Sequence, residues 1–263
     1  MKNFANKFAY PNFITCAEFA QELREKNEQI RNSLKDNLKL TFFSGDKNWD
    51  ASYIKGLQKD CNYYNIDLTI EEGFHPGIIP VCSSPFLISS KIKNPQINHF
   101  IDTYADGDLD NVLGLARDKM TCTATAAYNY LKANNFYFLG KRICIIGRGD
   151  NVGYSLAKYL IKYESATVTV CNSHTPFIYD IIDQSDLIIT AIDKINYFDM
   201  TGVWSPIIDI GLGLGEDGKL HGNVIENTIC DNIDFCATGV NTIGLLTREE
   251  LINRVLNYYV EGY

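Results

Sequence analysis

The residues of this chain best placed to do chemistry start at Gly147. Gly147, Gly149 and Gly153 are spaced G-x-G-x-x-x-G, directly behind the apolar run RICII and ahead of a stretch with helical spacing that reaches Tyr163. Glycines so placed allow a tight turn, let a phosphate approach the backbone, and let a helix pack closely on a strand. The helix then points unpaired N–H groups at an anion. A strand, such a loop and a helix together can hold the pyrophosphate of a dinucleotide, whereas the same glycines alone could mark a turn that binds nothing. The position between a strand and a helix, inside a βαβ unit, favours the ligand.

The end of the next strand refines the chemistry. A unit that binds NAD places a carboxylate there for the ribose 2′-hydroxyl, but this strand ends in Cys171-Asn172-Ser173-His174. Arg148 in the loop, Ser173 and His174 are the groups available to surround a 2′-phosphate, which favours NADP over NAD. A lone loop histidine is more often simply solvated, and that alternative stays open for His174.

These residues need elements to position them. Thr15 and Glu18 form the T-x-x-E pattern of a capping box, opening a charged helix that reaches about Ser33. LKLTFFSG reads as a strand, and the segment DASYIKGLQKDCNYYN as a helix, because Tyr53, Leu57, Cys61 and Tyr64 share one helical face. IDLTI and GIIPVCSSPF are further strands, and the turn-rich YADGDLDN around Asp106 closes this half. A helix from about Ala124 to Asn134 leads to a half in which strands (RICII, ATVTVC, DLIITAI, PIIDIG) alternate with helices, beginning with one over Gly153 to Tyr163. That order predicts a parallel, doubly wound sheet.

The expected architecture is therefore α/β. An N-terminal α/β domain over residues 1–122 is joined by a C-terminal helix, residues 247–263, that returns to it, and a Rossmann-like NAD(P)-binding domain spans 123–246. With 46% hydrophobic and 21% charged residues the chain can bury a core. Its net charge of -8 argues against a general attraction to nucleic acid or to anionic membrane. No apolar run approaches the ~20 residues of a membrane span. Eight cysteines are scattered singly and four histidines lie apart, which predicts reduced thiols and no metal site.

The loop, the segment TVTVCNSHT and the segment IIDIGLGLGEDGKLHGNV resemble the methylenetetrahydrofolate dehydrogenase/cyclohydrolase family, whose patterns are GRS-x-x-VG-x-P, TVTxCHSxT and VIDVGIN…G-K-LxGDV. Arg148, Val152, Gly153, Asp209, Gly211, Lys219 and Gly222 carry the likeness. It implies oxidation of methylenetetrahydrofolate with NAD(P) and, in bifunctional members, hydrolysis of the methenyl product. It also implies a cytoplasmic homodimer acting on a tetrahydrofolate derivative, with Gly147, Arg148, Gly149, Val152, Gly153, Ser173, His174, Asp209 and Gly211 at the cofactor.

The likeness is poorer where folate would bind. The family's Y-x-x-x-K motif keeps its tyrosine as Tyr53, implied to stack on the aminobenzoyl ring, but Leu57 stands at the lysine. Lys55 and Lys59 are two residues away, about 200° around a helix, and read as a solvated face. The glutamine of Q-L-P-L-P falls on Val81, while the aspartate of D-V-D-G is kept as Asp106, either a clamp on the pterin N–H groups or an ordinary turn carboxylate. In the family's folate-side glycine loop only Gly244 and Thr247 persist clearly. Leucine can neither donate a proton nor activate water, so the resemblance implies a dehydrogenase with weak or lost cyclohydrolase activity. The alternative is a relative repurposed to bind a nucleotide or another small ligand without turnover.

Overall fold

The computed structural model describes residues 14–35, 37–44, 47–72, 85–88, 119–230, 233, 235–239 and 241–261. Two compact units emerge. One comprises Gln21–Cys122 with Thr247–Tyr263, and the other comprises Thr123–Leu246 with the start of the chain up to Ala20.

In the first of these, β1 (Leu38–Ser44) lies between β2 (Ile66–Glu72) and β3 (Phe86–Ile88) in an all-parallel sheet. Leu38, Leu40 and Phe42 alternate along β1 toward a core completed by Leu57, Cys61 and Tyr64 of the segment around α2 (Lys47–Tyr63). Leu251, Ile252, Val255 and Leu256 of α6 (Ile243–Glu261) close it. The face expected of α2 is thus the face it buries. A carboxylate within these helices is held by several donors, as burial of a charge requires. Glu249 of α6, 3% exposed, accepts from Arg24 (Nε 2.9 Å, Nη2 2.6 Å), from Asn27 Nδ2 (3.2 Å) and from the Tyr64 hydroxyl (2.8 Å).

Helix α1 (Cys16–Ser33) opens on the expected capping box, with Glu18 N–H donating to Thr15 Oγ1 at 3.1 Å and Thr15 N–H to Glu18 Oε2 at 2.7 Å. Its first turn counts with the second unit rather than with the rest of residues 1–122, because Phe19 packs on Tyr130, ring centroids 6.2 Å apart, and Ile14 N–H reaches Asn134 Oδ1 at 2.8 Å.

The second unit is built on five parallel strands in the order β10-β7-β6-β4-β5: Cys236–Ala237, Ile207–Asp209, Leu187–Thr190, Arg142–Ile146 and Thr167–Cys171. β6 is buried throughout, the pattern of a parallel strand covered on both faces. Helices α3 (Cys122–Ala133), α4 (Ser155–Tyr163) and α5 (Ile178–Asp183) accompany the sheet. The helix expected from Gly153 begins earlier, as a π-helical turn over Asp150–Tyr154 in which Tyr154 N–H donates to Gly149 O at 3.0 Å. The last helix starts at Ile243 rather than Thr247. An antiparallel hairpin, β8 (Leu212–Leu214) with β9 (Leu220–Gly222), was not anticipated, since three-residue strands containing glycine leave no periodic signal. Among the described residues no helix is long and apolar enough to cross a membrane.

Candidate functional site

Strand β4 has β5 on one side and β6 on the other, so the chain reverses its direction of progress across the sheet at β4. Ligands of open parallel sheets bind at such a switch point, outside the carboxyl ends of the strands. The glycine loop lies there.

Gly147 has φ +124°, and its N–H donates to Cys171 O at 3.0 Å. A β-carbon on Gly147 would fall 2.2 Å from Ala191 O, and one on Gly153 would fall 1.9 Å from Gly147 O. Both positions therefore need glycine for the fold itself. Gly149 differs: its φ of -65° and ψ of 145° suit any residue, and a β-carbon there would meet nothing within 4 Å. The backbone is thus bare at the position where a phosphate would approach. Gly149, at the N-cap of the turn that follows, has no side chain with which to cap it. Val152 is half-buried in that turn, and Arg148 is exposed beside it.

The end of β5 forms a tight turn. Asn172 Oδ1 accepts His174 N–H at 2.9 Å, Asn172 N–H reaches Thr175 Oγ1 at 2.9 Å, and Thr175 N–H reaches Asn172 O at 3.0 Å. Ser173 and His174 are left exposed, and the bond from Gly147 to Cys171 keeps their turn beside the loop. These groups fit a dinucleotide: two glycines close the cradle, a third leaves it open, and a cation and a hydroxyl flank it.

Asp209, at the end of β7, is 1% exposed and faces inward. It accepts from Thr190 Oγ1 (2.6 Å), Asn223 N–H (3.1 Å), Val224 N–H (3.1 Å) and Thr238 Oγ1 (2.9 Å). Burial pushes its carboxyl above the ordinary carboxylate range against the pull of those donors. A β-carbon on Gly222 would come within 2.1 Å of Asp209 Oδ2, and one on Gly211 within 2.2 Å of Asn223 Oδ1. Gly211 and Gly222 are thus packing glycines around a buried polar junction. Lys219 is exposed, its N–H donating to Asp217 Oδ1 at 3.0 Å. Sequence reading passed over Thr190, Thr238 and Asn223. For Asn223 a signal existed, since it stands at the aspartate of G-K-LxGDV.

Beyond Gly239, at φ +77°, Thr242 Oγ1 donates to Gly239 O at 2.8 Å just before α6 begins. In the other unit, Tyr53 is half-buried with its ring 5.4 Å from that of Phe42. Leu57 is 1% exposed within the apolar core, while Lys55 and Lys59 face solvent. Val81 and Asp106 lie outside the described residues.

A family model described as the tetrahydrofolate dehydrogenase/cyclohydrolase NAD(P)-binding domain matches residues 121–262. The bifunctional protein FolD of Clostridioides difficile is 30% identical over 250 residues, covering 84% of this chain and 85% of its own. That of Pseudothermotoga lettingae is 28% identical over 92% of this chain and 96% of its own. Among solved structures, the bifunctional FolD enzyme of Campylobacter jejuni superposes with a TM-score of 0.72 at 22% identity, covering 94% of this chain and 96% of its own. The Trypanosoma brucei enzyme, solved with NADP and an inhibitor, superposes at 0.70 and 20% identity over 96% and 99%. At these identities the superpositions show the shared fold.

Proposed function

Because this chain belongs to the tetrahydrofolate dehydrogenase/cyclohydrolase family, we propose that it oxidises methylenetetrahydrofolate with NADP and that its cyclohydrolase step is weak or lost. The observation that carries this reading is a contrast within one chain. The glycine cradle is closed at Gly147 and Gly153 and open at Gly149, whereas Leu57, at the family's lysine, is packed in an apolar core.

NADP, when bound, supplies the hydride acceptor. The loop from Gly147 to Gly153 holds the pyrophosphate through backbone N–H groups, with Val152 shaping the turn. Arg148, Ser173 and His174 receive the 2′-phosphate, in place of the carboxylate that would select NAD. Asp209 and Gly211 act from behind, ordering the carboxyl ends of β6 and β7 rather than touching the cofactor. Tyr53 stacks on the aminobenzoyl ring of the folate and Asp106 accepts from the pterin. Hydride transfer needs the donor carbon held in line and no protein nucleophile, so positioning supplies much of the rate. Hydrolysis needs an activated water, and Leu57 has no proton to exchange. By the family's pattern the protein works as a cytoplasmic homodimer.

The test is spectrophotometric. Purified protein, methylenetetrahydrofolate and NADP should yield reduced cofactor, faster than with NAD, and methenyltetrahydrofolate added alone should decay no faster than in buffer. Rapid hydrolysis would overturn the second half of the reading. A second reading, a ligand-binding relative without turnover, is motivated by the several departures on the folate side, Leu57 and Val81 among them, against a better-kept cofactor domain. Saturable NADP binding with no cofactor reduction and no folate binding would select it.

A further inference from the structure

We propose that Asn223 is a positioning residue for the nicotinamide half of the dinucleotide, a role that rests on the cofactor reading above. Asn223 is completely buried, and its carboxamide grips the segment that follows β6: Oδ1 accepts Ile192 N–H at 3.0 Å, and Nδ2 donates to Ile192 O at 2.8 Å and to Lys194 O at 2.5 Å. Its own backbone is fixed on both sides. The N–H rests on Asp209, and the carbonyl accepts Tyr197 N–H at 2.7 Å and Phe198 N–H at 3.0 Å. Gly211 presses on the carboxamide closely enough to exclude any side chain. The grip therefore has one geometry.

What it grips faces the cradle. Ala191 N–H donates to Ile146 O at 2.8 Å, and Ala191 O sits against the α-carbon of Gly147. Residues 191–194 thus form the border of the loop on the β6 side. The turn carrying Ser173 and His174 borders it on the β5 side. A dinucleotide whose 2′-phosphate lies toward β5 and whose pyrophosphate lies on the loop extends its other nucleotide toward β6, over residues 191–194. Asn223 sets where the N–H and C=O groups of that wall stand.

The residue type matters. A carboxylate, as in the family's G-K-LxGDV, has no N–H to offer two carbonyls. The same pattern places an asparagine, in VIDVGIN, where this chain has Gly213. A β-carbon at Gly213 would fall 2.5 Å from Ile195 Cγ2, so a side chain there would press on the residue that follows Lys194. In this chain the carboxamide that holds Ile192 and Lys194 comes from position 223.

The experiment compares NADP with 2′,5′-ADP, which lacks the nicotinamide half, by calorimetric titration of wild type, Asn223→Ser, Asn223→Asp and Thr238→Val. The last removes a donor to Asp209 but leaves the carboxamide in place, and so controls for loss of stability. Losing buried hydrogen bonds to the wall should weaken NADP about tenfold in both Asn223 variants, with 2′,5′-ADP unchanged and Thr238→Val altering neither ligand selectively. In wild type, hydrogen exchange at the Ile192 amide should slow with NADP and not with 2′,5′-ADP. This readout survives even if the Asn223 variants fail to fold. Equal losses for both ligands, or Ile192 protection by 2′,5′-ADP, would overturn the inference while the cofactor reading stands. Wild type that binds neither ligand would overturn both.

Discussion

The carbonyl oxygen of Gly147 stands 1.9 Å from the place a β-carbon on Gly153 would occupy, so the loop and the helix behind it touch backbone to backbone. Gly153→Ala should therefore strain the fold by about 1–3 kcal/mol, as overpacking of a filled site does, and lower the Tm. Gly149→Ala should behave oppositely. Its backbone angles suit alanine and its β-carbon meets open space, so stability should hold or rise by about 0.5 kcal/mol, and because the family's GRS pattern carries a serine at this position, NADP binding should be retained. Thermal unfolding and titration of the two variants side by side separate a glycine the fold needs from one that tolerates a side chain. A marked loss of affinity in Gly149→Ala would mean that the pyrophosphate lies closer to this α-carbon than a side chain allows.

The charge beside the loop leads to a prediction about selectivity. Arg148 is exposed, and no carboxylate ends β5. A guanidinium on a phosphate contributes about 1.5–3 kcal/mol. Arg148→Ala should thus raise the KM for NADP about tenfold or more and leave the KM for NAD within about twofold, since NAD has no 2′-phosphate to lose. A parallel rise for both cofactors would assign Arg148 to the pyrophosphate instead.

Much of this was legible in sequence where the cause is local. The capping box at Thr15 and Glu18, the buried face of α2 and the glycine spacing each involve neighbours along the chain. Asp209 was legible as a motif residue but not in its environment: its donors Thr190, Asn223 with Val224, and Thr238 come from three segments that meet only when the sheet assembles. Asn223 was harder still. Its partners Ile192 and Lys194 lie about thirty residues upstream, in a segment without periodicity. The left-handed backbone of Phe177, φ 51° in a residue type that rarely adopts it, had no sequence signal either.

Asp60 gives a pH dependence. It is 6% exposed, its Oδ2 is 3.0 Å from Arg248 Nε, and burial raises its carboxyl above the ordinary value by more than the guanidinium lowers it. The folded chain therefore holds this proton more tightly than the unfolded chain does. Stability from Asp60 is full below the ordinary carboxylate value and declines as pH rises through the elevated one. Asp60→Asn does not titrate, so its Tm relative to wild type should climb between about pH 3.5 and the elevated value and then level off. Arg248, whose side chain is 33% exposed, can turn to water when its partner is neutral. A Tm difference that shrinks over that range would mean the pairing with Arg248 outweighs burial.

The sharpest trial of the altered folate side is to put the lysine back. Leu57 is 1% exposed among Leu38, Leu40, Phe42 and Val255, so Leu57→Lys would force an ammonium into an apolar core. The expected result is a loss of about 3 kcal/mol or more and no gain in methenyltetrahydrofolate hydrolysis. Burial disfavours the ammonium, so the folded state would bind that proton less tightly than the unfolded state, and the deficit should narrow as pH rises. Denaturant unfolding at about pH 7 and pH 9, with a hydrolysis assay on the same preparations, reads both effects. A variant as stable as wild type that hydrolyses the substrate would show that position 57 opens to water and substrate. The proposed loss of hydrolysis would then trace to one side chain, and the packing around it would have no part in it.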